Sequence, residues 1–90
     1  MLEVVLTNQF KKDIKLAVKR NYDLNLLDEV VNTLASQQPL DPKHKNHALK
    51  GAYSGLMECH ITPDWLLVYK IYDNDLVLLL ARTGTHSDLF

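Results

Sequence analysis

Apolar positions in the first third of the chain recur at helical spacing. Phe10, Ile14, Ala17 and Val18 stand at i, i+4, i+7 and i+8 and so share one helical face. Lys11, Lys12, Lys15 and Lys19 fall mostly off that face. Thr7 or Asn8 is suited to cap the helix. Asn21-Tyr22-Asp23 breaks the period, and Leu27, Val30, Val31 and Leu34 restart it. Asp28 and Glu29 fall in the first turns of this second segment, where the helix dipole favours acids. The pattern predicts a hairpin of two amphipathic helices, preceded by a short strand over residues 2–7.

Pro39 and Pro42 end the helical region, because each lacks a backbone donor and restricts its neighbour. Residues 40–55 read as a loop. Three strand-like runs follow, at 56–61, 65–72 and 76–82. Thr62-Pro63-Asp64 and Asp73-Asn74-Asp75 make short turns between them, so an antiparallel meander is expected. Residues 76–81 show no polar alternation and predict a central strand. A polar tail, Thr85-His86-Ser87-Asp88, is closed by Leu89-Phe90. The order β-α-α-β-β-β predicts an α+β fold, a helical hairpin packed on one face of a small, twisted, mostly antiparallel sheet. It is read as one domain spanning residues 1–90.

Composition narrows the class. The chain has 90 residues, for which size scaling gives a folded surface of about 5,400 Å² and a single core. One cysteine, Cys59, excludes an internal disulfide. No apolar run approaches the ~20 residues of a membrane span. Phe10-Lys11-Lys12-Asp13 breaks any signal-peptide core, so a cytoplasmic protein without a membrane partner is expected. The formal net charge of −1 argues against nucleic acid, but the charge is unevenly spread. Residues 1–22 carry Lys11, Lys12, Lys15, Lys19 and Arg20 against Glu3 and Asp13. Residues 23–42 carry acids only, and residues 43–54 carry Lys43, Lys45 and Lys50. Each basic segment is either a solvated surface or a site for phosphate.

Candidate chemistry collects in the second half. Period two puts Glu58 and His60 on one face of their strand, and Met57, Cys59 and Ile61 on the other. Asp64 lies at the next turn, Arg82 ends the last strand, and His86 follows. With His47 from the basic loop, these groups converge if the sheet face away from the helices is open. Such a set suits RNA strand scission. A histidine serves as base or acid near neutral pH, and a guanidinium matches a phosphate with a planar fork of donors. Taken singly, a histidine or aspartate on a strand or turn is more often structural. His44-x-x-His47 lies in a proline-flanked loop with no second pair at zinc spacing, so no metal site and no cofactor are expected. Cys59 should face the core. Tyr53 and Phe90 are either rim residues or stacking surfaces for bases.

Three segments carry a resemblance. His-Ala-Leu-Lys-Gly at 47–51, Glu-Cys-His-Ile-x-Pro-Asp-Trp-Leu-Leu-Val-Tyr at 58–69 and Arg-Thr-Gly-Thr-His-Ser-Asp-Leu-Phe at 82–90 closely resemble the YafQ branch of the RelE-like toxins. These are the toxin halves of bacterial type II toxin–antitoxin systems, and the likeness runs the length of the chain. It implies a ribosome-dependent endoribonuclease that cuts mRNA in the ribosomal A site. It places the acid–base histidines at His47, His60 and His86, the catalytic aspartate at Asp64 and an acidic cleft position at Glu58. Arg82 matches the phosphate-binding arginine, and Phe90 the terminal aromatic that positions mRNA. Lys43, Lys45 and Lys50 would add RNA contacts, and Lys11, Lys12, Lys15 and Lys19 would face rRNA. The implied partner is a small antitoxin, through which the pair binds operator DNA. One departure is Met57, where relatives often carry a basic residue, which implies a weaker RNA contact there and leaves a catalytically weakened, antitoxin-binding relative as an alternative. The related ParE-like toxins share the fold and inhibit DNA gyrase without cutting RNA, and they generally lack this acid–base set.

Overall fold

The computed structural model describes residues 1–90. Strand β1 (Glu3–Leu6) leads into helices α1 (Asn8–Lys19) and α2 (Leu24–Ala35). Then come β2 (His47–Ala48), β3 (Met57–Thr62), β4 (Trp65–Tyr72), β5 (Val77–Gly84) and the one-turn helix α3 (His86–Leu89). The sheet runs β1-β5-β4-β3-β2, with β1 parallel to β5 and the other pairs antiparallel. The predicted α+β arrangement is found, with two additions. The segment read as a loop over 40–55 contains the two-residue strand β2 and single 3₁₀ turns at Pro42–His44 and Gly51–Tyr53. The polar tail forms α3.

The helices start where their caps are. Thr7 Oγ1 accepts from the Phe10 N–H at 2.9 Å, and Asp23 Oδ1 from that of Asn25 at 3.0 Å. On α1 the buried face is Phe10, Asp13 and Ala17, with Ile14 beside it. Val18, expected on that face, is 53% exposed, because the sheet covers only the i, i+3, i+4, i+7 stripe. An acid, Asp13, occupies the stripe instead. Leu27, Val30 and Leu34 of α2 complete the helical side of the core.

Period two sorts the sheet. Cys59, Leu67, Tyr69, Leu78 and Leu80 pack under the helices in one cluster. Met57 pairs with Tyr69 and packs against the same cluster, so its lack of charge does not alter the opposite face. Burial pushes the Cys59 thiol up to about 12, so it stays protonated and inert at neutral pH. The middle strand is β4, with Trp65 through Tyr69 all buried; β5, expected at the centre, is interior but one place off it. The total accessible surface is 5740 Å², close to the scaling value.

Two features of β5 set up the site. β1 pairs with it only as far as Leu6 opposite Leu80, so beyond that point its edge has no strand partner. Side chains take over. Thr7 Oγ1 donates to the Ala81 carbonyl at 2.7 Å, and the Thr83 N–H donates to Asp13 at 3.1 Å. The β4–β5 register also shifts between Val68/Arg82 and Tyr69/Leu80, leaving Ala81 as an extra residue beside Arg82. A second shift falls between His60 and Thr62. Bulges of this kind re-aim the adjoining side chains.

Truncating Leu67, fully buried, to Ala should cost about 2–5 kcal/mol in urea unfolding. Val18→Ala should stay within about 0.5 kcal/mol. Equal costs would contradict this assignment of the core.

Candidate active site

Strand pairing draws a row across the sheet. His47 stands opposite Glu58, Glu58 opposite Val68, and Val68 opposite Arg82. Residues paired in this way share a face, and for His47, Glu58 and Val68 it is the one away from the helices, whereas Arg82, beside the register shift, reaches Asp13 of α1. His60, two places along β3 from Glu58, lies on the same face opposite Leu66. The result is a cleft of about 820 Å³ whose walls include His47, Glu58, His60, Asp64 and His86. Five of the six polar groups expected to converge do so. Arg82 does not line the cleft.

Each imidazole has a defined setting. The His47 Nδ1–H donates to the Lys45 carbonyl at 2.7 Å, and its Nε2 faces Glu58 Oε1 at 3.3 Å. Both nitrogens thus face oxygen acceptors. Glu58 is buried, and its Oε2 has no partner within the protein. The His60 Nδ1–H donates to the Pro63 carbonyl at 3.3 Å, which leaves Nε2 with its lone pair. The two rings lie 6.4 Å apart. Asp64 is exposed on the β3–β4 turn and reaches both this cleft and a smaller one beside Tyr22 and Trp65.

The third histidine depends on α3. Four residues do not hold a helix by themselves. Here Thr85 and Asp88 form a capping box: Thr85 Oγ1 accepts from the Asp88 N–H, and Asp88 Oδ2 accepts from the Thr85 N–H at 2.8 Å. Arg20, at the end of α1, then clamps Asp88 through two bonds of 2.6 and 3.1 Å. The Arg20 guanidinium and the Thr85 N–H hold the Asp88 carboxyl well below the usual carboxylate range, and Asp88 raises Arg20 in turn. Gly84 makes room, since a Cβ there would lie 2.9 Å from Asp88 Oδ2. His86 so placed packs on Phe90, centroids 5.1 Å apart, and Tyr53 meets Phe90 edge-on at the same separation. The two aromatics proposed as stacking surfaces are therefore one unit with His86.

Arg82 is engaged elsewhere. Its Nε–H and an Nη2–H donate to Asp13 at 3.0 and 3.1 Å, and this pairing raises its pKa. Lys43, Lys45 and Lys50 are all exposed, as are Lys11, Lys12, Lys15 and Lys19. Arg20, counted with the basic face of α1, is paired to Asp88 and is not a free cation there. His44 Nδ1–H donates to the His60 carbonyl at 2.6 Å and pins the loop to β3. No three His, Cys, Asp or Glu side chains stand together at metal-ligating distance. Sequence reasoning missed Asp13, Arg20 and Asp88. Two signals were present: an acid on an apolar stripe, and the Thr-x-x-Asp spacing of a capping box.

Comparison with known proteins decides the family. Residues 2–90 match the family described as bacterial toxin of type II toxin-antitoxin system, YafQ. The chain belongs to the YafQ toxin family. The mRNA interferase toxin YafQ of Escherichia coli K12 is 39% identical over 89 residues, covering 98% of this chain and 95% of that protein. A metal-bound toxin from Helicobacter pylori is 49% identical, superimposes with a TM-score of 0.94 and covers both chains fully. YafQ in the E. coli DinJ-YafQ toxin-antitoxin complex is 39% identical, with a TM-score of 0.87 over 99% of this chain and 97% of that one.

In this YafQ-family chain, the Arg20–Asp88 clamp makes a pH prediction. Asp88 has a lowered folded pKa, so its contribution is complete above the ordinary carboxylate value and is lost as pH falls toward the folded one. Wild type should be more stable than Arg20→Gln at pH 7. The gap should narrow as pH falls below about 4. Denaturant unfolding at neutral and acid pH measures it, and a gap that persists undiminished near pH 2 contradicts the clamp.

Proposed function

We propose that this toxin is an mRNA interferase that cuts mRNA presented by the ribosome, using acid–base chemistry from its own side chains. Three histidines and two carboxylates in one cleft carry the reading. RNA scission by the ribose 2′-OH needs a group to take its proton, a group to protonate the departing 5′-oxygen, and charge to stabilise the phosphorus oxygens. His60, with Nδ1 tied to Pro63, accepts at Nε2. His47 is held as a donor between Lys45 and Glu58. No hydrogen bond within the chain engages the His86 ring, which packs on Phe90 and keeps its nitrogens for the reacting phosphate. Asp64 at the rim adds a second carboxylate to the cleft. The likeness to an E. coli protein named for mRNA interferase activity supports the same reading.

The surroundings supply binding. The Tyr53–Phe90 pair offers an aromatic edge for a base, and Lys43, Lys45 and Lys50 lie exposed for phosphates. Lys11, Lys12, Lys15 and Lys19 form a second exposed set on α1, suited to rRNA. By analogy with the DinJ-YafQ complex, the regulator is a cognate antitoxin that binds this chain. Any contact with operator DNA would run through that antitoxin. The setting is the cytoplasm, where ribosomes and mRNA meet.

Cleavage of mRNA on programmed ribosomes tests the proposal, with and without antitoxin. Wild type should give discrete new 5′ ends, and antitoxin should suppress them. His60→Ala and His86→Ala should each slow cleavage by about 10²–10⁴ and relieve growth arrest while still binding antitoxin. Intact mRNA with damaged DNA in arrested cells would point instead to gyrase inhibition.

A further inference from the structure

The carboxylate of Asp13 is saturated. Oδ1 accepts from Arg82 Nη2 at 3.1 Å and from Gln9 Nε2 at 3.1 Å. Oδ2 accepts from Arg82 Nε at 3.0 Å and from the Thr83 N–H at 3.1 Å. Four donors fill its lone pairs, and the residue is only 9% exposed. A buried acid on the helix stripe is costly, and sealing the open edge of β5 at Thr83 needs only one of those four bonds. The paired contact to Arg82 calls for another account.

A guanidinium has two edges that suit an oxyanion, Nε with one Nη, and the two Nη together. Asp13 occupies the first. The Nη1–Nη2 fork remains, and the Arg82 side chain is one-third exposed (33%). Arg82 lies in the row His47–Glu58–Val68–Arg82, two strand spacings from Glu58, or about 10 Å. The buried carboxylate therefore fixes the plane of the guanidinium and leaves its outer fork without a partner in the chain, on a residue that neighbours the cleft without lining it. We propose that Asp13 is a positioning residue for the cleavage reaction: it holds Arg82 by one edge so that the other meets the phosphate being cut. This rests on the endoribonuclease reading above.

Single-turnover cleavage on programmed ribosomes tests it, with wild type, Asp13→Asn, Arg82→Lys and the double variant. Asp13→Asn should slow the chemical step by about 10²-fold, with little change in the ribosome concentration that half-saturates it. The double variant should be no slower than Arg82→Lys alone, because Asp13 acts through Arg82. The Arg82 Nε–H resonance should be sharp and slowly exchanging in wild type and lost in Asp13→Asn. If Asp13→Asn unfolds the chain, Asp13→Glu, which keeps the charge and displaces the fork, is read by the same criteria. Wild-type rate in the Asp13 variant, or losses that multiply in the double variant, would overturn the positioning role while leaving the nuclease reading intact. A wild type that cuts no mRNA, yet shows the ordered Arg82 resonance, would overturn the nuclease reading and the positioning role with it.

Discussion

The functional end of the molecule depends on one missing strand contact. β1 stops at Leu6, and the last residues of β5 continue without a neighbour on that side. Unpaired backbone groups there would be costly if buried. The start of α1 takes the place of the strand, with Thr7 on the Ala81 carbonyl and Asp13 on the Thr83 N–H. Seven residues on, two turns along the same helix, Arg20 clamps Asp88. Helix α1 is thus both a wall of the core and a brace for the segment that carries Arg82, His86 and Phe90.

The legible part of the fold was what periodicity controls. Alternation in β3 separated Glu58 and His60 from Cys59 and Ile61, and the structure keeps that division without exception. Helical spacing located α1 and α2 closely. The less legible parts depend on single interactions across distant sequence. β2 has two residues, too few for a period, and exists because His47 and Ala48 find Glu58 and Met57. α3 requires Arg20, 68 residues away from Asp88. Val18 was misplaced because a stripe one residue wider than the sheet reads the same as one that fits.

Much the same holds for the site. Residue type and parity brought His47, Glu58, His60, Asp64 and His86 to one cleft, but not the backbone carbonyls of Lys45 and Pro63 that orient two of the rings. Arg82 was recognised by type but its pairing with Asp13 was not, since that partner lies 69 residues away in the chain. These pairs each sum to zero and leave the net charge of −1 unchanged. Asp13 with Arg82, and Arg20 with Asp88, cancel within the fold. The lysines of α1 and of the 43–50 loop remain as exposed charge, modest enough that naked RNA should be held weakly and loosely in salt.

The central claim is that these side chains make the mRNA cut itself by deprotonating its ribose. The direct measurement replaces the 2′-OH by hydrogen at the scissile nucleotide of an mRNA bound to the ribosome. Cleavage at that position should disappear, while the same nucleotide with its hydroxyl is cut to a 2′,3′-cyclic phosphate and a free 5′-OH. Cleavage of the deoxy-substituted message at the same site would contradict it.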